Sequence, residues 1–129
     1  METCRRIEGL ADFISDRYNN AVEIGIGHSP DVAFALLKRH VRLFATDIRP
    51  FQYPGLNVVV DDITEPEISL YRGMKLIYSL RPPPELIPYI KRLAGLISAD
   101  VILKPLSDEY IDGWRLMQNG NMTFFTKRC

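Results

Sequence analysis

The residues with the clearest chemical potential stand in short groups, each directly after an apolar run. The first group is Glu23-Ile24-Gly25-Ile26-Gly27. Glycine lacks Cβ, so Gly25 and Gly27 allow a sharp turn and a close approach of backbone to ligand. Ser29-Pro30-Asp31 then reads as an N-cap, a first-turn proline and an acid at the positive end of a helix dipole. The free N–H groups of that helix would face the same space. Asp47 lies 20 positions after Gly27, a separation at which an acid can accept hydrogen bonds from both hydroxyls of a ribose. Asp61-Asp62-Ile63, Arg81-Pro82-Pro83-Pro84-Glu85 and Lys104 close later apolar runs. This is the pattern of a nucleotide or nucleoside site at the carboxyl ends of strands; the competing reading is a tight turn without a ligand.

Which nucleotide is narrowed by what the groups lack. No Gly-Lys-Ser/Thr follows the turn, so a phosphate-gripping P-loop is absent. A dinucleotide fingerprint wants a third small residue, and that place falls on Pro30. Glu23, two residues before the first glycine, suits a cationic or hydrogen-bond-donating group and would repel a pyrophosphate. Arg81 can grip a carboxylate or phosphate through paired hydrogen bonds, or pair locally with Glu85. His28 in the turn is a base or a solvent-facing imidazole, and His40 complements a helix C-terminus. Tyr71, Tyr78, Trp114, Phe124 and Phe125 read as packing, and Lys104 as a solvated cation. No arrangement for covalent catalysis or metal binding is visible, and the catalytic residues stay unknown.

The elements that must hold these groups follow from periodicity. Ile7, Leu10, Ala11, Ile14 and Tyr18 recur at helical spacing over about residues 5–18. Residues 21–24, 41–46, 58–60, 75–80 and 101–103 read as strands, with helices over 32–40 and about 85–97. Pro88 is tolerated because it falls in the first turn of its helix. Segments 61–73 and 106–113 fit short helices or loops equally. Residues 114–118 and 122–126 flank Asn119-Gly120-Asn121, a hairpin signal. Strands alternating with helices predict an α/β fold: a three-layer, Rossmann-like, mostly parallel sheet with a C-terminal antiparallel hairpin. The 129 residues fit a single domain, 1–129.

Composition bounds the partners. Sixteen basic and sixteen acidic residues cancel, so no global field draws the chain to nucleic acid or an anionic membrane, although a local patch at Arg49, Arg81 and Lys104 stays open. Cys4 and Cys129 read as free thiols, and no apolar run approaches the roughly 20 residues of a membrane span. A cytoplasmic protein is expected.

Val22-Glu23-Ile24-Gly25-Ile26-Gly27 resembles motif I of the class I S-adenosylmethionine-dependent methyltransferases, with Ser29 in place of the third motif glycine. The resemblance implies that Glu23, Gly25 and Gly27 line the methionine end of S-adenosylmethionine, that Asp47 binds its ribose, and that Asp62-Ile63 holds its adenine. Amino-directed members carry Asn/Asp-Pro-Pro-aromatic after the fourth strand. Here Arg81 replaces the amide or carboxylate, and it cannot accept a hydrogen bond from a target amine. Arg81 and Pro82 would then face the substrate. Taken together with Asp61-Asp62-Ile63-Thr64 and the Arg-Pro-Pro-Pro-Glu run, the chain resembles nearly throughout a small uncharacterised archaeal family of methyltransferase-like proteins. The implied function is an S-adenosylmethionine-binding domain with unknown acceptor. A regulatory module for NAD or another adenosine ligand, and a scaffold that has lost the cofactor site, are the alternatives. The chain is short for a methyltransferase, so a substrate site would form at a homo-oligomer interface, or the domain binds without doing chemistry.

Overall fold

Strand β1 (Asn20–Ile24) is buried along its whole length because both of its faces are covered. In a computed structural model of the chain, β1 follows helix α1 (Glu2–Ser15) and leads through α2 (Asp31–Lys38) to β2 (Arg42–Asp47), β3 (Val58–Val60) and a short α3 (Ile68–Tyr71). Next come β4 (Leu76–Leu80), a 3-10 turn (Pro84–Leu86), α4 (Ile87–Ile97), β5 (Asp100–Lys104), β6 (Arg115–Asn119) and β7 (Met122–Lys127). The structure describes residues 2–104, 115–119 and 122–127, with side chains over 8–104. Trp114, Gly120, Asn121 and Cys129, the segment 106–113, and the side chains of Cys4, Phe124 and Phe125 lie outside that description.

The seven strands form one sheet in the order β3-β2-β1-β4-β5-β7-β6. The first five run parallel, with Glu23 opposite both Ala45 of β2 and Tyr78 of β4. β7 pairs antiparallel with β5 and with β6. The sequence order reverses at β1, which sits between β2 and β4. A crevice therefore opens beyond the carboxyl end of β1, where crossovers leave in opposite directions.

Period-two alternation divides the core between the two faces. Ala21, Tyr78 and Ile102 point toward α1 and α2, where they meet Leu10, Ile14, Val32 and Leu36. Val22, Ile24, Ile77, Val101 and Leu103 point the other way, onto Tyr71, Ile90, Leu93 and Ala94 of α3 and α4. Full burial of side chains such as Leu36 or Ile77 contributes roughly 1.5–3 kcal/mol each. Asn20 secures the amino end of the sheet: its amide donates to Gly73 O at 3.0 Å and accepts from Lys75 N–H at 2.7 Å.

Two local expectations are corrected. Ser29 does not cap α2; Pro30 holds the N-cap place, with no side-chain cap. His40 does more than complement a dipole, because it adopts φ 63° and ends α2 in a left-handed turn. The Val41 N–H reaches Leu36 O and the His40 N–H reaches Leu37 O, the paired bonds of a Schellman motif usually built on glycine. The segment 61–73, undecided from sequence, is a loop with the single turn of α3. No helix among the described residues is long and apolar enough to cross a membrane.

Candidate functional site

The turn after β1 begins where its ladder with β2 ends. Thr46 O accepts from both Gly25 N–H at 2.8 Å and Ile26 N–H at 3.3 Å. Gly25 and Gly27 take φ +73° and +53°. A Cβ built at either position would meet nothing within 4 Å, so glycine is required by backbone conformation and the space above both is open. Ile26, between them, is buried against Ala33, Ala45 and Leu56 and anchors the turn.

Asp47 closes the turn from the neighbouring strand. Its Oδ2 accepts from Gly27 N–H at 2.9 Å and its Oδ1 from Arg49 N–H at 3.0 Å. Each carboxylate oxygen has a further lone pair, so the group can hold the turn and still accept from a ligand. Loop 49–55 folds over the same place. The Tyr53 hydroxyl donates to Gly27 O, Phe51 stacks on Tyr53, and the exposed His28 ring meets Phe51 edge-on at 4.9 Å.

Beneath the turn, Glu23 is 1% exposed and Tyr78 fully buried. Glu23 Oε1 and the Tyr78 hydroxyl have no hydrogen-bond partner among the described residues. Burial pushes the Glu23 carboxyl up to about 8; the nearby Tyr78 hydroxyl opposes that rise and the Asp47 charge adds to it. Burial, then the Glu23 carboxyl, raises Tyr78 well above its ordinary value.

The β3 and β4 ends complete the rim. Asp62 Oδ1 accepts from the Thr64 hydroxyl at 2.7 Å and the Thr64 N–H at 2.9 Å, which holds this carboxyl below its ordinary value. Asp61 turns inward, accepting from the Tyr71 hydroxyl and from Glu67 N–H at 3.1 Å. Ile63 belongs to the core on the α4 side. It also lines a groove of about 490 Å³ with Thr64, Pro66, Tyr89, Arg92 and Leu96, a space that shares no residue with the turn. Arg81 is exposed at φ +58°, its N–H bonded to Lys104 O at 2.6 Å, while Pro82 is buried. The ion pairs among the described residues are Arg39 with Glu8 and Asp12, so Arg81 and Glu85 do not form the local pair considered from sequence.

The fold thus brings Glu23, Gly25, Gly27 and Asp47 together at the switch point, with Asp62 and Arg81 on the flanking strand ends. Three participants were not singled out from sequence: Tyr53, Thr46 and Ser79, whose hydroxyl donates to Ile24 O at 2.8 Å. Each acts through a contact made across strands or loops, and only the small polar side chain of Ser79 inside an apolar run offered a signal.

The profile of an uncharacterised protein family, UPF0146, matches residues 8–129. The chain belongs to that family. A UPF0146 protein of Archaeoglobus fulgidus is 38% identical over 121 residues, covering 92% of this chain and 93% of its own. Another, from Methanocaldococcus jannaschii, is 45% identical over 92 residues, 67% of this chain and 66% of its own. These UPF0146 relatives are archaeal and carry no assigned activity in their names. Among solved structures, an S-adenosyl-L-methionine methyl transferase from Silicibacter pomeroyi superposes with a TM-score of 0.56 at 13% identity, over 97% of this chain and 91% of that one. PigF, solved with SAH, gives 0.61 at 13% identity over 97% and 54%. At such identities the likeness is one of fold: this UPF0146 member has the Rossmann-like architecture of methyltransferases.

Proposed function

We propose that this domain binds S-adenosylmethionine at the carboxyl end of β1 and is methyltransferase-like in function as well as in fold. The observation that carries the reading is the open, left-handed Gly25–Gly27 turn set between Glu23 and Asp47. The donor set fits the group. Backbone at Gly25 and Gly27 leaves room for the amino-acid end, an unpartnered carboxyl oxygen lies beneath it, and Asp47 keeps lone pairs for ribose hydroxyls. Asp62 and Ile63 would border the adenine, and Arg81 and Pro82 the acceptor side. The bound group supplies an electrophilic methyl on a sulfonium. The chain's own contribution is to hold and orient it beside an acceptor, which lowers the barrier through proximity.

Arg81 bears on the acceptor. It stands in a left-handed conformation at the β4 end, unpaired among the described residues, and offers donors only. That chemistry suits an acceptor with a carboxylate or phosphate and disfavours a base or amide nitrogen held at this position. Calorimetric titration with S-adenosylmethionine and S-adenosylhomocysteine tests the reading. Saturable heat with either, lost in D47A, is expected; no heat from either up to millimolar ligand overturns it. A thermal shift with NAD and none with S-adenosylmethionine would assign the pocket to a different adenosine ligand.

A further inference from the structure

Two polar groups lie buried and unsatisfied in the layer under the Gly turn. Glu23 and Tyr78 are partners in the β1–β4 register, so their side chains leave the same face of the sheet. By alternation this is the face of Ala21 and Ile102, packed against Leu10, Ile14, Val32 and Leu36. Neither Glu23 Oε1 nor the Tyr78 hydroxyl has a hydrogen-bond partner among the described residues. Buried polar groups in native proteins are almost always bonded, and an exception calls for a reason.

Among the described residues no cation bears on the carboxyl. From β2 the titratable group bearing on it is Asp47, and from β4 it is Tyr78. Of the charges with described side chains on the covering helices, Glu8 and Asp12 of α1 hold Arg39, beyond the end of α2, and Lys38 stands exposed in the last turn of α2, at the end away from the Gly turn. Asp31, at the start of α2, is a further acid. A buried carboxylate with an acid bearing on it and no positive partner among the described residues takes up a proton and stays neutral.

We propose that Glu23 and Tyr78 form a proton-releasing unit: Glu23 is neutral in the ligand-free protein and gives up its proton when a cationic ligand settles at the Gly25–Gly27 turn. This rests on the ligand reading above and adds what that reading lacks, a coupling between uptake of the ligand and loss of a proton to solvent. The balance is simple. The Glu23 O–H bond breaks, the proton passes to buffer, and the carboxylate left behind faces the ligand's positive charge. Tyr78 donates its hydroxyl to the new carboxylate, which gives both orphaned oxygens a partner. The raised affinity of Glu23 for its proton agrees with this arrangement.

The test is calorimetry of the full chain at pH 7, in phosphate and in Tris, whose ionisation heats differ widely. Three ligands are compared: S-adenosylmethionine, S-adenosylhomocysteine, and 5′-methylthioadenosine, which lacks the amino-acid end. For the first two, close to one proton released per ligand is expected at pH 6, with release shrinking as pH rises through the range in which free Glu23 ionises. Affinity should rise several-fold between pH 6 and pH 7. 5′-Methylthioadenosine should release none, and E23Q should abolish release with every ligand. Heats that do not depend on buffer, or release that persists in E23Q, overturn the coupling while leaving the ligand reading intact. Absence of heat with all three ligands overturns the ligand reading, and with it this coupling. Carbon-13 titration of the Glu23 carboxyl in ligand-free protein decides independently: a midpoint in the ordinary carboxylate range refutes a neutral Glu23 whatever binds. In Y78F that midpoint should move upward, because the hydroxyl favours the ionised form.

Discussion

The backbone N–H of Gly27 donates to the carboxylate of Asp47 over 2.9 Å, joining the turn after β1 to the end of β2. The same carboxylate accepts from Arg49 N–H at 3.0 Å, so one side chain organises both loops that frame the crevice. An acid expected to serve a ligand is therefore also part of the scaffold.

That double role sets the first prediction. D47A removes two charge-assisted bonds at a half-buried position and should cost about 2 kcal/mol of stability, because water can replace part of what is lost. D47N keeps an acceptor oxygen and should cost less. Urea denaturation measures both, and S-adenosylmethionine titration should show a larger loss of affinity in D47A. Equal stability of D47A and wild type would show that the two N–H groups are fully served by solvent.

Gly25 and Gly27 make a paired test of strain against space. G25A and G27A meet no protein atom, yet each must hold a positive φ. A left-handed Cβ costs roughly 1–2 kcal/mol, so both variants should fold with a modestly lowered Tm. The methyl group projects into the open space above the turn, and the shift induced by S-adenosylmethionine should fall by more than the stability does. A preserved ligand shift in both variants would move the pocket away from the turn.

Glu23 predicts an inverted pH profile. Its carboxyl is raised from 4.5 unfolded to about 8 in the fold. Between those values the native state binds more protons than the unfolded chain, so stability falls as pH rises. The penalty is absent below about pH 4.5 and complete above about pH 8, reaching up to about 5 kcal/mol. E23Q should flatten this dependence and be more stable than wild type at pH 9. Unfolding free energies at pH 6 and pH 9 for the two proteins check the sign.

Arg81 holds φ +58° without being glycine. R81G removes the left-handed strain and R81A keeps it, so R81G should be the more stable by about 1 kcal/mol. Both variants lose the guanidinium. Binding of S-adenosylmethionine should survive in each if Arg81 serves the acceptor, and a loss of that binding would reassign it to the cofactor side.

Y53F isolates the loop that covers the turn. Its hydroxyl donates to Gly27 O, and removal should cost about 1 kcal/mol, with faster hydrogen exchange in residues 49–55 as the local readout.

Periodicity and turn chemistry were enough to place the parallel strands, the helices over both faces and the Gly turn at the end of β1. They work because each depends on neighbours a few residues apart: the short apolar run with one acid in Ala21 to Ile24, helical spacing in Leu10, Ala11 and Ile14, and Gly25 and Gly27 at positions that need positive φ. Family membership was legible for a related reason, since motif spacing is a property of the chain. What the sequence could not settle was how side chains spend their bonding capacity. Ser29 looked like a cap and is not one, because Pro30 takes the place. His40 looked like a dipole partner, yet its backbone forms the left-handed end of α2. Glu85 lies four residues from Arg81 and makes no ion pair with it, because Arg81 sits at a left-handed strand end. Glu23 could be read as a carboxylate for a cation. Only the β1–β4 register sets Tyr78 beside it, and only packing of α1 and α2 over that face excludes the water that would keep it charged. Burial and register arise between segments distant along the chain, so the tertiary structure alone decides how readily Glu23 carries a charge.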